Sequence, residues 1–331
     1  MPKCKQIIAF GQIFSIIPRV YAVDVPKEYM ALTAWMDYFT FDFFIVYPAP
    51  CVGEYGSRLL FTAMLSLGLI GGVLLVSLVA ELVLRQRRRQ SRGSNIAAGT
   101  TSTAEQQRPP SVDDSNNLVM VYGVPTALFI AFCSFAPINT FIFQVFDCRS
   151  YERDSITGIS ERYMYADLTQ RCNDRHGGYT DDKYTKLLNT AAGLIVLWPV
   201  GFTVTCIVLL YLSRKNVSLK NRTALSHSAR FIFQEYKPTV FWWEILEITR
   251  RLFLTGFVLG IPEEHSLMRL LAGILTSLLY ACMLMLVRPY KRADDNMIAI
   301  SANVRCTRTA CTNACMPREL TCRRRHRSST W

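Results

Sequence analysis

The sequence is dominated by apolar runs that are long enough to cross a lipid bilayer. A spanning helix needs about 20 apolar residues, and only helices or closed barrels satisfy the backbone hydrogen bonds inside lipid. Half of the residues are hydrophobic although the formal net charge is +12, so the charges must be segregated from the apolar runs. We therefore predict an all-α membrane protein, a polytopic helix bundle with about five transmembrane helices. The runs are Leu59–Leu84, Leu118–Phe146, Leu187–Leu212, Val240–Ile261 and Leu267–Val287.

The basic residues predict which loops face the cytoplasm. Arginines crowd Arg85–Arg92 directly after the first run, and lysines and arginines crowd Arg214–Arg222 after the third run. Positive charge next to a span marks the cytoplasmic side. We therefore expect the polar linker 85–117 and the loop 213–238 to lie inside, and the hydrophilic loop 147–186 to lie outside.

The cysteines divide between loops and spans. Cys148 and Cys172 lie in the predicted outside loop, where disulfides form and persist, so we predict a bond between them, with Cys51 as the competing partner. The cysteines inside the runs are expected to be small apolar residues: Cys133, Cys206 and Cys282.

The fourth run carries the strongest functional signal because it contains Glu244, Glu247, Arg250 and Arg251. If one continuous helix crosses the bilayer from residue 240 to 261, the two arginines lie near its middle. Glu247 lies four residues before Arg251. An acid that precedes a base at this helical spacing is better oriented for an ion pair than one that follows it. Three interpretations stay open: a buried structural ion pair, arginines that snorkel to the membrane surface, and a gating or conduction role.

Aromatic residues mark the start of that run. Lys237-Pro238 suits the beginning of a helix, since proline gives up an N–H that the first turn leaves unpaired. Phe241, Trp242 and Trp243 follow and predict an interfacial aromatic belt.

The two ends of the chain differ in composition from the apolar runs between them. Residues 1–58 predict a membrane-associated segment, with a short apolar run that is compatible with a signal-like, interfacial or re-entrant helix. Residues 305–331 form a basic tail rich in cysteine and arginine. Its cysteines lack the paired short spacing of structural zinc sites, so we expect no metal. Two interpretations of the tail stay open. It is a gene-model artefact, produced by an out-of-frame or unspliced extension, or it is a basic cytoplasmic segment attracted to anionic lipid.

Two motifs carry a resemblance to a known module. YKPTVFWWEILEITRRLFLTGFVLG, and VRPYKRADDNMIAISANV after one more apolar run, resemble the transient-receptor-potential (TRP)-like C-terminal membrane module of large algal and protist surface proteins. The opening KCKQIIAFGQIFSIIPRVYAVDVP resembles the start of that module, so the similarity runs with gaps from Lys3 to Val304. In such proteins a long cysteine-rich ectodomain typically precedes the module, and a further apolar helix is expected after Val304 where this chain is polar.

The resemblance implies a multi-pass membrane protein with channel-like relatives, and hence cation transport or sensing. The alternative is a non-conducting membrane anchor or receptor module of a larger cysteine-rich surface protein. The sequence contains no glycine-rich phosphate loop, HExxH or GxSxG, so we expect no enzyme activity and no cofactor. The expected partners are the lipid bilayer, with anionic lipid at basic juxtamembrane segments, and further copies of the chain, but no nucleic acid. The expected location is the plasma membrane.

Overall fold

The computed structural model describes residues 2–21, 53–97, 118–154, 159–173, 180–219, 230–261 and 265–314. These residues form a bundle of helices with a small sheet at one end. The helices are α1 (Pro2–Tyr21), α2 (Tyr55–Ala97), α3 (Val124–Gln144), α4 (Asp182–Ile195), α5 (Gly201–Leu219), α6 (Arg230–Phe233), α7 (Trp243–Thr255), α8 (Ser266–Val287) and α9 (Ala293–Ala314).

Short helical turns of other types join or flank several of these helices. A π-helical turn, Val119–Gly123, leads into α3, and another, Val196–Val200, makes α4 and α5 one continuous rod. A proline lies in the second turn, and this residue cannot donate the usual backbone hydrogen bond. The 3₁₀ turns Pro238–Val240 and Phe257–Gly260 flank α7.

Four helices of the described part are long and apolar enough to cross a membrane. They comprise Tyr55–Gln90, Val119–Gln144, Asp182–Arg214 and Leu267–Val287. The all-α membrane bundle predicted from the apolar runs is confirmed at this level, by helix length and composition. Only 6% of the most apolar 18-residue window of the first helix is buried, so the bundle leaves nearly all of that window uncovered.

The fourth run differs from the prediction, because residues 240–261 do not form one continuous spanning helix. α7 has 13 residues, which is about 20 Å and shorter than a hydrocarbon core of about 30 Å. It ends at Gly256, where a Cβ atom would lie 2.5 Å from the ring of Phe143 in α3. Glycine therefore lets the end of α7 approach α3 closely. The arithmetic that placed Arg250 and Arg251 at the bilayer centre assumed an unbroken helix and does not apply.

The N-terminal helix α1 lies inside the bundle and contacts α3, α7, α8 and α9. Its apolar face packs against α7, with Ile13, Phe14 and Ile17 around Leu254. Gln12, which interrupts the apolar run, is fully buried and donates a hydrogen bond of 2.7 Å to the carbonyl of Cys133. α1 is thus part of the same packed unit as the helices that follow residue 58.

The hydrophilic loop after α3 contains three antiparallel strands, β1 (Cys148–Asp154), β2 (Ile159–Met164) and β3 (Asp167–Arg171), in the order β1-β2-β3. Cys148 pairs with Met164, and Tyr163 with Arg171. The Cys148–Cys172 disulfide joins the start of β1 to the residue after β3, as predicted.

The bundle has two distinct ends. The sheet end carries the strands, the beginnings of α2, α4 and α8, and the salt bridge of 3.3 Å between Arg58 and Asp167. At the opposite end, called here the RPYK end, Tyr236 and Tyr290 form a β-bridge, and the amide of Lys237 donates to the carbonyl of Pro289 over 2.8 Å.

Candidate functional site

Glu244, at the start of α7, forms a buried ion pair with Lys5 of α1. The Lys5 Nζ lies 2.7 Å from Glu244 Oε2, and the two side chains are only 5% and 3% exposed. The hydroxyl of Tyr236 donates to the same oxygen over 2.8 Å. The ammonium also lies 4.8 to 5.8 Å from the ring centroids of Phe132, Phe231 and Tyr236. These contacts attach α1 to α7 through one buried ion pair.

Glu247, one turn further along α7, belongs to a network that links three helices. It accepts a hydrogen bond of 3.1 Å from Arg250 and one of 2.7 Å from the hydroxyl of Tyr280 in α8. Arg250 stacks over the ring of Tyr280 at 4.1 Å and donates to Asn303 of α9 over 3.3 Å. Asn303 in turn donates to the carbonyl of Ser277 over 2.9 Å. The network therefore fixes α7, α8 and α9 relative to one another.

The pairing inside α7 corrects the one predicted from spacing. Glu247 pairs with Arg250, three residues along, and not with Arg251, four residues along. The buried guanidinium of Arg251 lies 4.1 Å from the ring centroid of Phe132 in α3, on another side of the helix. Both oxygens of Glu247 already accept bonds from Arg250 and Tyr280. The i to i+4 rule identified the right acid and the wrong arginine.

The three aromatic residues predicted to form a belt have three different surroundings. Trp243 is fully buried, and its indole N–H donates to the hydroxyl of Tyr280 over 3.4 Å. Phe241 is half-buried against the main core, whereas Trp242 is 41% exposed. Exposure suits Trp242 for an interface, but Trp243 is a core residue because α8 covers it.

The position of Ser277 gives the depth of the network. Ser277 is the central residue of the apolar segment Leu267–Val287, and Tyr280 lies about 5 Å closer to the RPYK end at 1.5 Å per residue. The contacts of Glu247, Arg250 and Asn303 therefore occupy the half of α8 between its middle and the RPYK end.

A cavity of about 270 Å³ lies beside this network, between α1 and the helices α7, α8 and α9. Glu247, Arg250 and Asn303 line it from the network side, and Gln6 and Phe10 line it from α1. It combines charged, amide and aromatic groups in a volume that fits part of a small organic molecule.

A second buried ion pair lies at the sheet end. Arg269 of α8 contacts Asp147 over 3.1 Å, and both side chains are 3% exposed. Arg269 also donates to the carbonyls of Val20, Leu259 and Ile261. Sequence reasoning missed this pair and missed Lys5. The available signal was the same for each: an isolated charge at the margin of an apolar run.

No protein-family model matches the chain, and neither the curated proteins nor the solved structures give a significant match. Within the described residues, no group of three or more His, Cys, Asp or Glu side chains is placed to hold a metal ion. The structure describes the tail only up to Ala314, where it continues α9. The cysteines at 315 and 322 lie outside the described residues.

Proposed function

We propose that this chain is a multi-pass integral membrane protein of the TRP-like kind that takes part in cation transport or sensing, at the plasma membrane. The observation that carries the proposal is the network of Lys5, Glu244, Glu247 and Arg250, which is enclosed by helices beside apolar spans. Charges are rare among membrane-spanning helices and normally mark an ion pathway, a sensor or a ligand site.

Within this proposal, the geometry favours a sensing role for the charged network over a cation pathway that runs through the network itself. Glu244 and Glu247 each bond to one cationic side chain and one tyrosine hydroxyl, so neither carboxylate presents a bare oxygen pair to a passing cation. Because the network joins α1, α7, α8 and α9, breaking one contact changes how four helices pack. A sensor needs an element with two arrangements, and this network is the element that we propose for that role.

A non-conducting anchor or receptor module is the second candidate. The observation that favours it is the same: both carboxylates already have a cationic partner and a hydroxyl donor. A network in which every charge is paired can also serve only to hold the helices together. The small disulfide-linked sheet at the predicted outside end gives such a module a rigid outer surface.

A flux measurement separates the two candidates. The purified protein is reconstituted into liposomes that contain a cation-sensitive dye, and flux is recorded with and without an imposed voltage. We expect the parent protein to give more flux than protein-free liposomes. Arg250→Gln should alter this flux. Lys183→Met, which removes an exposed charge at the sheet end, should leave it unchanged. Parent protein that gives no more flux than protein-free liposomes under either condition contradicts a transport role and favours the anchor.

A further inference from the structure

The cavity beside the charged network begins at the RPYK end and runs inward along α1. Its lining on α1 extends from Gln6 to Ile13, which is about 10 Å along the helix axis. Gln6 marks the outer limit, since its amide group lies beside the hydroxyl of Tyr290 at the RPYK end. One end of the cavity is therefore near the predicted cytoplasmic surface, and the other end is inside the bundle.

The charged groups that line the cavity already interact with other parts of the chain. Glu247 accepts hydrogen bonds from Arg250 and Tyr280, and Arg250 also donates to Asn303. Arg305, the remaining charged residue of the lining, also interacts within the chain. A charged ligand would lose its hydration without meeting a free counter-ion, and this cost is large. The described lining therefore favours an uncharged ligand.

Gln6 brings an unpartnered amide group to the cavity. Its Nε2 and Oε1 atoms are both buried, and neither has a hydrogen-bond partner among the described residues. The hydroxyl of Tyr290 is beside the amide but does not meet the geometry of a hydrogen bond. Buried polar atoms are normally hydrogen-bonded. A ligand that pairs with both atoms must accept from Nε2 and donate to Oε1, and a hydroxyl group does both.

Inward of this amide the lining is mainly apolar. Phe10 and Ile13 line the cavity from α1, and Ala299 and Ala302 line it from α9. The cavity is open beside Ile7, which is 58% exposed. A volume of about 270 Å³ holds part of a lipid-sized molecule, and the rest can extend through this opening. A molecule bound in this way has its polar head toward the membrane surface and its apolar body toward the interior, as bilayer lipids do.

We propose that this cavity binds an uncharged lipid whose head group is a hydroxyl, such as a sterol or a fatty alcohol. The hydroxyl pairs with the amide of Gln6, and the apolar body lies along Phe10, Ile13 and Ala302. The inference rests on the membrane insertion proposed above but not on transport or sensing. Binding is measured without flux, so either proposal can fail while the other stands.

The test measures binding of radiolabelled cholesterol and of radiolabelled oleyl alcohol to the purified full chain in detergent micelles. Unlabelled cholestane and octadecene, which lack the hydroxyl, serve as matched competitors. We expect saturable binding of at least one alcohol, and an affinity about tenfold lower for its hydroxyl-free counterpart, since a hydrogen bond contributes on that order. Binding of cholesterol identifies a rigid ring system as the apolar body, and binding of oleyl alcohol identifies a flexible chain. The absence of saturable binding for both alcohols overturns the proposal.

Gln6→Leu tests the hydroxyl contact, because it removes the amide with little change in size. It should weaken binding of the alcohol about tenfold and leave binding of the hydroxyl-free probe unchanged. Without ligand, the variant should be at least as stable as the parent, because it loses two unpartnered polar atoms. Equal affinities of the parent and Gln6→Leu for the alcohol overturn the assigned contact.

Two substitutions in α9 test the place of binding. Ala302→Phe fills the cavity and should weaken binding of the alcohol and of its hydroxyl-free counterpart. Met297→Phe also introduces a ring, but Met297 is 67% exposed and lies outside the lining, so this control should bind as the parent does. Equal losses for the two variants overturn the cavity as the binding site.

Discussion

Replacing Glu244 by glutamine removes the counter-charge of Lys5 and leaves the rest of the site in place. The ammonium of Lys5 is 5% exposed and lies 2.7 Å from the carboxylate, so it cannot turn to water without moving α1. Breaking one partner of a buried pair costs about 3–5 kcal/mol, because the other charge stays in a low dielectric. Cation–π contacts with the three rings around the ammonium offset about 0.5–2 kcal/mol of this cost, so we expect the free energy of unfolding to fall by about 3 kcal/mol.

The reciprocal variant, Lys5→Met, should cost more. It leaves the Glu244 carboxylate with only the hydroxyl of Tyr236, and no ring compensates a negative charge. We therefore expect a loss near the upper limit, about 4–5 kcal/mol. The double variant should lose less than either single variant, since an uncharged pair leaves no stranded charge.

Equilibrium unfolding in detergent micelles measures these losses, and the exposed pair of Glu54 and Lys183 provides the matched control. That pair has a similar distance of 3.2 Å, but its side chains are 76% and 69% exposed. Glu54→Gln should cost about 1 kcal/mol or less. If Glu244→Gln and Glu54→Gln cost the same, the reasoning about the buried pair is refuted.

Three further predictions concern other contacts. Glu247→Gln and Arg250→Gln should each destabilise the protein and show a coupling energy of about 1–3 kcal/mol in a double-mutant cycle; additive losses would contradict the pairing. Burial, with Glu244 and Asp295 nearby and Lys5 opposing, raises the pKa of Glu235 to about 7. The folded state therefore holds this proton more tightly than the unfolded state, so the free energy of unfolding should fall as pH rises from about 4.5 to 7. The fall should be less steep in Glu235→Gln, and identical pH profiles of the two proteins would contradict this. Loss of the disulfide that closes the strand region should cost about 3 kcal/mol for its separation of 24 residues, and unchanged unfolding under reducing conditions would contradict this.

The spanning helices were predictable because their signal is local. A run of apolar residues such as 267–287 forms a helix in lipid whatever it packs against, since its backbone must bond internally. The Cys148–Cys172 bond was predictable because few cysteines share the predicted outside loop. Both predictions needed only the order of residues along the chain.

The pairing within the site was not predictable, because it depends on which neighbours reach each side chain. Glu247 bonds to Arg250 since Tyr280 of α8 occupies its other oxygen and Arg251 lies against α3. Lys5 is 239 residues from its partner, and no sequence spacing encodes that contact. At the break after α7, the close approach of Phe143 to Gly256 likewise involves another helix.

The membrane topology is the most direct test of the account, since the side of the membrane on which each loop lies follows from it. The chain holds two glycosylation sequons, at Asn216 and Asn221, in the loop predicted to be cytoplasmic. The protein is synthesised in the presence of microsomes, with a third sequon introduced into the outside loop 147–186. We expect glycan on the introduced site alone, in a membrane fraction that resists alkaline extraction. Glycan on Asn216 or Asn221, or release of the protein by alkali, would contradict the account.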